Sequence, residues 1–253
     1  MEMAKLEPIL QFLKEEFEYD DFPDYPHALN GLQVSGPDEI HAVAAAVDAG
    51  EETIRAAVQR GVDLLLVHHG LFWDGLGPLV GPRYRKVAAL VRNEVGLFSL
   101  HLPLDAHPDL GNAAILMRSM DLVPAHPFGF YEDRAVGWWC ETSLTRGDLE
   151  ARLAEAVGGE TRMVAGGPEV VKRVGVLTGG GSSFLAAARQ MSLDALVTGE
   201  APHHSFHAAM EMGINLILGG HYATETFGVK ALGERLAEEF GVSWEFLDHP
   251  TGF

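Results

Sequence analysis

A chain of 253 residues, 47% of them hydrophobic, can bury the core of one large domain or two small ones, which excludes wholesale disorder. Its formal charge is −18, from 18 Lys and Arg against 36 Asp and Glu, so its surface repels phosphate backbones and no nucleic-acid partner is expected. The single cysteine, Cys140, excludes an intramolecular disulfide framework and a thiolate-rich metal cluster and fits a reducing cytoplasm.

The first segment, residues 5–17, has helical spacing; it is acidic and amphipathic, unlike a secretory leader. No uncharged run reaches the roughly 18 apolar residues of a membrane span, so no membrane association is expected. Strand-like runs follow at Asn30–Val34 and His41–Val47, then a helix over Glu51–Arg60 that stops at Gly61. Asp63–Val67 (DLLLV) reads as a strand buried on both faces. A helix near Tyr84–Glu94, a strand at Leu97–Leu100 and a helix near Gly111–Met120 complete the first half. The least regular stretch, Leu122–Glu141 with Pro124, Pro127 and Gly129, marks the expected boundary, giving repeats over residues 1–125 and 126–253. In the second half Thr145 is positioned to cap a helix over Arg146–Val157, with Asp148 three residues on. Strands are expected at Thr161–Val164, Val171–Leu177, Asp194–Thr198 and Ile214–Leu218, with helices at Ser182–Gln190 and Pro202–Met212 between them. A long amphipathic helix over Thr226–Glu239 and a strand over Ser243–Leu247 end the chain, and these two could pack back on the first repeat.

The halves share a pattern. "VDAGEETIRAAVQRGVDLLLVHHG" aligns with "LTGGGSSFLAAARQMSLDALVTGE" at an offset of about 130 residues: strand, small-residue turn, Ala-rich helix, Asp, apolar strand. Strands alternating with helices imply an α/β fold of two repeats with mostly parallel or mixed sheets.

Ligands of parallel sheets bind beyond the carboxyl ends of strands. DLLLV is followed there by His68 and His69, LFSL by His101 and Asp105, and INLIL by His221 and Glu225. Two of these groups share the spacing His-x-x-x-acid. Neutral imidazoles and carboxylates suit zinc, manganese, iron, nickel or cobalt. Adjacent histidines on an extended segment point to opposite sides and could serve two ions, and a carboxylate can bridge two ions roughly 3.5–4 Å apart.

Several further residues have two readings. His101 is either a ligand or a partner that orients Asp105, and His107 is either a turn residue or part of the site. His203, His204 and His207 form a second cluster, with His203 and His207 at i, i+4; it is either another metal site or, with Glu200, a substrate contact. The Gly179-Gly180-Gly181-Ser182-Ser183 run either cradles a phosphate on its amides or is a plain strand–helix turn; it lacks the lysine of a P-loop. Phe72, Trp73, Trp138 and Trp139 either stack on a base or pack a core or subunit interface, and Cys140 has no neighbour that would make it a nucleophile.

The segments NGLQV, VHHGLFW, HLPLDAHPDLGN, TGGGSSF, TGE and GHYATE, in that order, closely resemble the GTP cyclohydrolase I type 2 homologues, also called YbgI-like or NGG-interacting-factor-three-like proteins. The resemblance covers essentially the whole chain, which lacks the extra central domain of longer members. It implies two intertwined α/β repeats with a two-metal site in the cleft between them. It implies the ligands His68, His69, Asp105, His221 and Glu225, with Glu225 bridging and His68 and His69 on different ions. It also implies a ring-shaped homohexamer with the sites facing an internal cavity. The expected activity is metal-dependent hydrolysis of a nucleotide or related small molecule, with Glu225 and His101 moving protons and Gly180, Gly181 and Glu200 contacting substrate. The alternative is a non-catalytic metal carrier, store or regulatory scaffold.

Overall fold

The computed structural model describes residues 3–73, 75 and 77–252. Contacts divide the chain into two compact units. The first is the chain through Leu104 together with Gly228–His249, and the second is Asp105–Phe227 with the tail from Pro250.

The first unit is built on a five-stranded sheet. Ala42–Asp48, Leu64–His69 and Gly96–Ser99 run parallel, Ser243–Phe246 adds a parallel strand beside Ala42–Asp48, and Gly31–Val34 closes the other edge antiparallel. The apolar run Leu64–Val67 is wholly buried, as a strand covered on both faces requires. One face packs Ala44, Ala46, Leu65, Val67 and Leu97 against Ile54, Ala57 and Leu90 of the helices Glu51–Arg60 and Gly81–Arg92. The first of those helices carries Glu51 and Glu52 in its first turn and Arg60 in its last, complementing its dipole, and stops where Gly61 turns left-handed at φ 66.

The second unit holds a six-stranded mixed sheet. Its parallel centre is Val170–Val176, Ala195–Thr198 and Asn215–Leu218, and Arg162–Ala165 is the antiparallel edge beside the last of these. On the other side, Leu122–Glu141 is not the irregular boundary that its prolines suggested. It carries an antiparallel hairpin of His126–Tyr131 and Arg134–Thr145, turning at Glu132, whose φ is 52. Pro127 is tolerated because its strand is the sheet edge, and Gly129 and Gly137 are needed because a Cβ at either would run into Leu177. Asp105–Ala125 groups with this unit because the helix Asn112–Ser119 buries Ala113, Leu116 and Met117 among Leu149, Leu153, Val174, Val176, Val197 and Ile217. Thr145 caps the helix Arg146–Val157, accepting from the Asp148 amide at 3.0 Å and donating to its carboxylate at 2.7 Å.

The internal plan of each unit repeats down to one carboxylate. Asp63 immediately precedes the second parallel strand of its unit, and its Oδ2 accepts from the His41 and Ala42 amides at 2.7 and 3.0 Å. Asp194 does the same with the Lys172 and Arg173 amides at 2.7 and 3.1 Å. Each aspartate thus ties the start of its own strand to the preceding one and fixes their register. Among the described residues no helix is long and apolar enough to cross a membrane.

Candidate metal centre

The chemistry-bearing residues lie where the parallel strands end. In the first unit, His68 and His69 are the final residues of the strand Leu64–His69, and His101 follows Gly96–Ser99. The three imidazoles converge: ring centres are 4.7 Å apart for His68 and His69, 4.9 Å for His68 and His101, and 5.6 Å for His69 and His101. Strand alternation alone would aim His68 and His69 apart, yet their ring centres lie 4.7 Å from each other. His68 Nδ1 meets the Leu100 carbonyl at 2.9 Å, and His69 Nδ1 meets Asp48 Oδ1 at 2.8 Å. His101 Nδ1 meets Asp24 Oδ1, also at 2.8 Å.

All three partners are acceptors, so each ring carries its proton on Nδ1 and its lone pair on Nε2. This is the arrangement metal-bound histidines adopt, with the second nitrogen tied to a carboxylate or carbonyl. One ligand atom from each of the three lies within 4.8 Å of the others, so His68, His69 and His101 could hold a metal ion. A pure nitrogen set of this kind suits a borderline transition metal better than calcium or magnesium.

The orienting groups are themselves fixed. Asp24 Oδ1 also accepts from the Tyr25 amide at 2.6 Å, and Oδ2 accepts from Asn30 Nδ2 at 2.8 Å and the Leu102 amide at 3.0 Å. Asn30 Oδ1 in turn accepts from the His101 amide at 2.7 Å. Burial pushes the Asp24 carboxyl up, but the bonds from His101, Asn30 and Tyr25 outweigh it and hold the group below the usual carboxylate range. Gln33 braces the loop after the histidines: its Oε1 accepts from the Leu71 amide at 2.8 Å, and its amide fills the space a Cβ on Gly70 would need. The NGLQV segment therefore supports both histidine groups of this unit.

In the second unit, His221 opens a short helix after Asn215–Leu218, and Glu225 follows it by one turn. Here both ring nitrogens face carboxylates, so in the metal-free protein the ring carries a proton on each. His221 Nδ1 meets Glu200 Oε1 at 3.0 Å, and Nε2 lies 3.1 Å from Glu225 Oε2. Burial lowers the imidazole pKa, but the Glu225 and Glu200 carboxylates outweigh burial and raise it to about 9. Glu225 is buried, at 3% exposure, so its carboxylate depends on cationic or polar company. Gly179 makes room for it, because a Cβ there would overlap Glu225 Oε1 and the backbone holds φ at 55. Asp105 is likewise buried, and its Oδ1 accepts from Asn112 Nδ2 at 2.8 Å and Thr178 Oγ1 at 3.1 Å.

Other expected site residues fall elsewhere. The Gly179 amide donates to Thr224 Oγ1 at 3.1 Å and its carbonyl accepts from the Gly199 and Glu200 amides, so that residue's backbone is spent within the fold. Gly180 is open and Gly181 is buried against Leu177 and Thr198, where a short 3₁₀ turn leads into a helix. His107 is a turn residue, its Nδ1 accepting from the Asp109 and Leu110 amides at 3.2 and 3.0 Å. His203, His204 and His207 are exposed and belong to neither group. Asp24 and Asp48 carried no sequence prediction. Asp48 ends the strand Ala42–Asp48, so the strand-end rule that singles out His68 reaches it too, whereas Asp24 sits in an irregular segment with no local signal.

The fold and these strand ends define a mixed α/β protein with histidine and carboxylate groups suited to a transition metal. The chain belongs to the Duf34/NIF3 (NGG1p interacting factor 3) family, whose model matches residues 4–251. A "GTP cyclohydrolase 1 type 2 homolog" of Deinococcus radiodurans is 41% identical over 246 residues, spanning 96% of this chain and 93% of the relative. Among solved structures, TTHA1606 of Thermus thermophilus is 39% identical with a TM-score of 0.90, covering 99% of this chain and 100% of its own. The protein ybgI, described as of unknown function, is 33% identical with a TM-score of 0.91, covering 98% of this chain and 99% of its own. The resemblance and the mixed α/β class read from the sequence both hold.

Proposed function

We propose that this protein is a divalent-metal-dependent hydrolase, holding two ions on His68, His69, Asp105, His221 and Glu225, with His101 beside them. The observation that carries this reading is the shared anchoring through Nδ1. His68, His69 and His101 each bind an acceptor through Nδ1 and leave Nε2 for the task of ligand, and His221 is held through Nδ1 in the same way, its Nε2 proton being the one an ion would replace. Structural histidines have no reason to agree on this; ligands do. The ions are of the zinc, manganese, iron, nickel or cobalt type, which the nitrogen and carboxylate donors favour.

When bound, such a pair of ions supplies Lewis acidity and acidifies a water to near neutrality. The chain's own residues do the rest. Glu225, buried beside His221, accepts and returns a proton at its carboxylate, and Glu200 holds the His221 ring in register for that exchange. His101 is kept as the Nδ1–H tautomer by Asp24, so its Nε2 can bind or take up a proton but not donate one. The relatives' name suggests a purine nucleotide as substrate, and we extend that class to small nucleotides and related cyclic amides. We further propose a ring-shaped homohexamer in the cytoplasm, tested by light scattering on the purified chain.

The test is a panel of nucleotides, phosphoesters and peptides assayed with metal-loaded protein beside Glu225→Ala. Turnover abolished by the substitution supports the hydrolase. Turnover that survives it sinks the two-metal reading, and an absence of turnover with freely exchanging metal favours a carrier.

A further inference from the structure

The helix Ser205–Met212 turns Ser205 and Ala209 into the second unit. Residues two positions away in sequence lie about 200° round the helix at roughly 100° per residue, on the solvent side. His203, His207 and Glu211 follow this face at i, i+4 and i+8, and all three are exposed. His203 already belongs to the helical turn: its carbonyl accepts from the Phe206 amide at 3.3 Å, and His204 after it is right-handed helical at φ −67, ψ −20. The two imidazoles therefore lie about one turn apart, nearly perpendicular, with ring centres 6.1 Å from each other.

We propose that His203 and His207 form a second, solvent-exposed metal site, a bidentate imidazole chelate for a transition-metal cation of the Zn²⁺, Ni²⁺ or Cu²⁺ type. The spacing allows it. Two rings sharing one ion at the roughly 90–110° of such a chelate, each nitrogen about 2.0–2.1 Å away, have centres roughly 4.5–5.3 Å apart. The observed 6.1 Å is about 1 Å longer, a gap that two exposed rings close by pivoting about their side-chain bonds. The backbone favours a chelate, because His203 in the turn that leads into the helix and His207 in its first turn lie at i, i+4 on one side and can meet an ion together. Neutral nitrogen donors select borderline metals over Ca²⁺ and Mg²⁺. The surrounding charge favours any cation: the molecule carries −18, and Glu211 lies on the next turn of the same face. Among the described residues neither ring is drawn into a side-chain hydrogen bond or ion pair; their neighbours are each other and the edge of Phe206, 5.4 Å from His207. This site is separate in sequence and in burial from the residues assigned to the catalytic ions. It holds its ion in open water, where exchange is rapid and the ion can be picked up or passed on.

The experiment uses the intact protein without a histidine tag, stripped with a chelator and titrated with Cu²⁺. Bound ions are counted after equilibrium dialysis and the spin spectrum is recorded. The wild type is expected to bind one Cu²⁺ per chain whose spectrum shows two coupled imidazole nitrogens and which Glu225→Ala retains. His203→Ala and His207→Ala should each lose that ion and no other, with circular dichroism unchanged because both side chains lie in solvent. An ion count and spectrum identical in the wild type and in both histidine variants would overturn the proposal. So would a signal lost with Glu225→Ala but kept in the histidine variants.

Discussion

Asp24→Asn is the substitution that most sharply separates an oriented ligand from a histidine that is merely buried. Asp24 accepts four hydrogen bonds: Oδ1 from His101 Nδ1 and the Tyr25 amide, Oδ2 from Asn30 Nδ2 and the Leu102 amide. An asparagine has the same shape but one oxygen and one NH₂. If its NH₂ faces His101, the ring must move its proton to Nε2 and lose its ligand lone pair. If the NH₂ faces Asn30 and Leu102, two buried donors confront a third. Either orientation leaves at least one donor unmet, at about 1–3 kcal/mol. Loss of an orienting partner typically weakens metal binding about 10–100-fold. The assays are urea unfolding of the metal-free protein, competitive Zn²⁺ titration, and nitrogen NMR of the His101 ring, with exposed Asp21→Asn as the control. Metal affinity and unfolding midpoint both unchanged, with the His101 proton still on Nδ1, would refute the reasoning.

Gly179→Ala should lose about 1–2 kcal/mol from its left-handed backbone alone. It should also weaken metal binding by displacing Glu225, whereas Gly180→Ala, with open space around it, should melt and bind like the wild type. Asp63→Ala and Asp194→Ala each strip two strand amides of their acceptor and should lower stability by similar amounts, roughly 1–3 kcal/mol by urea unfolding. A loss confined to one of them would contradict the repeat. In the metal-free protein the His221 imidazole is raised from 6.5 to about 9, so its contribution to stability is full below pH 6.5 and vanishes as pH rises through about 9. Melting temperatures across that window should fall more steeply for the wild type than for His221→Gln, and parallel curves would dispose of the effect.

Much of this was legible in the chain because strong local signals and tertiary structure agreed. DLLLV reads as a doubly covered strand and is one, and the histidines after it mark a strand end that no helix or turn signal contradicts. The repeat was visible as an offset, and the structure adds its physical cause in the Asp63 and Asp194 carboxylates. What escaped was whatever depends on pairing at a distance. Pro124, Pro127 and Gly129 are loop signals locally, yet the partner strand Arg134–Thr145 overrides them once Pro127 sits at an edge. The helix Asn112–Ser119 was recognised but its allegiance was not, since an apolar face shows that a helix packs and not what it packs on. Asp24 reaches His101 across 77 residues of chain, and nothing in its own neighbourhood announces that contact.

The central claim is that histidines held through Nδ1 present Nε2 to a metal together with Asp105 and Glu225. Its most direct test is a crystal of the metal-loaded protein measured on both sides of the metal's absorption edge. Anomalous peaks are expected at bonding distance from Nε2 of His68, His69, His101 and His221 and from the carboxylates of Asp105 and Glu225. Peaks absent from those atoms, or bonded to Nδ1 with the Asp48, Glu200 and Leu100 contacts broken, would contradict it.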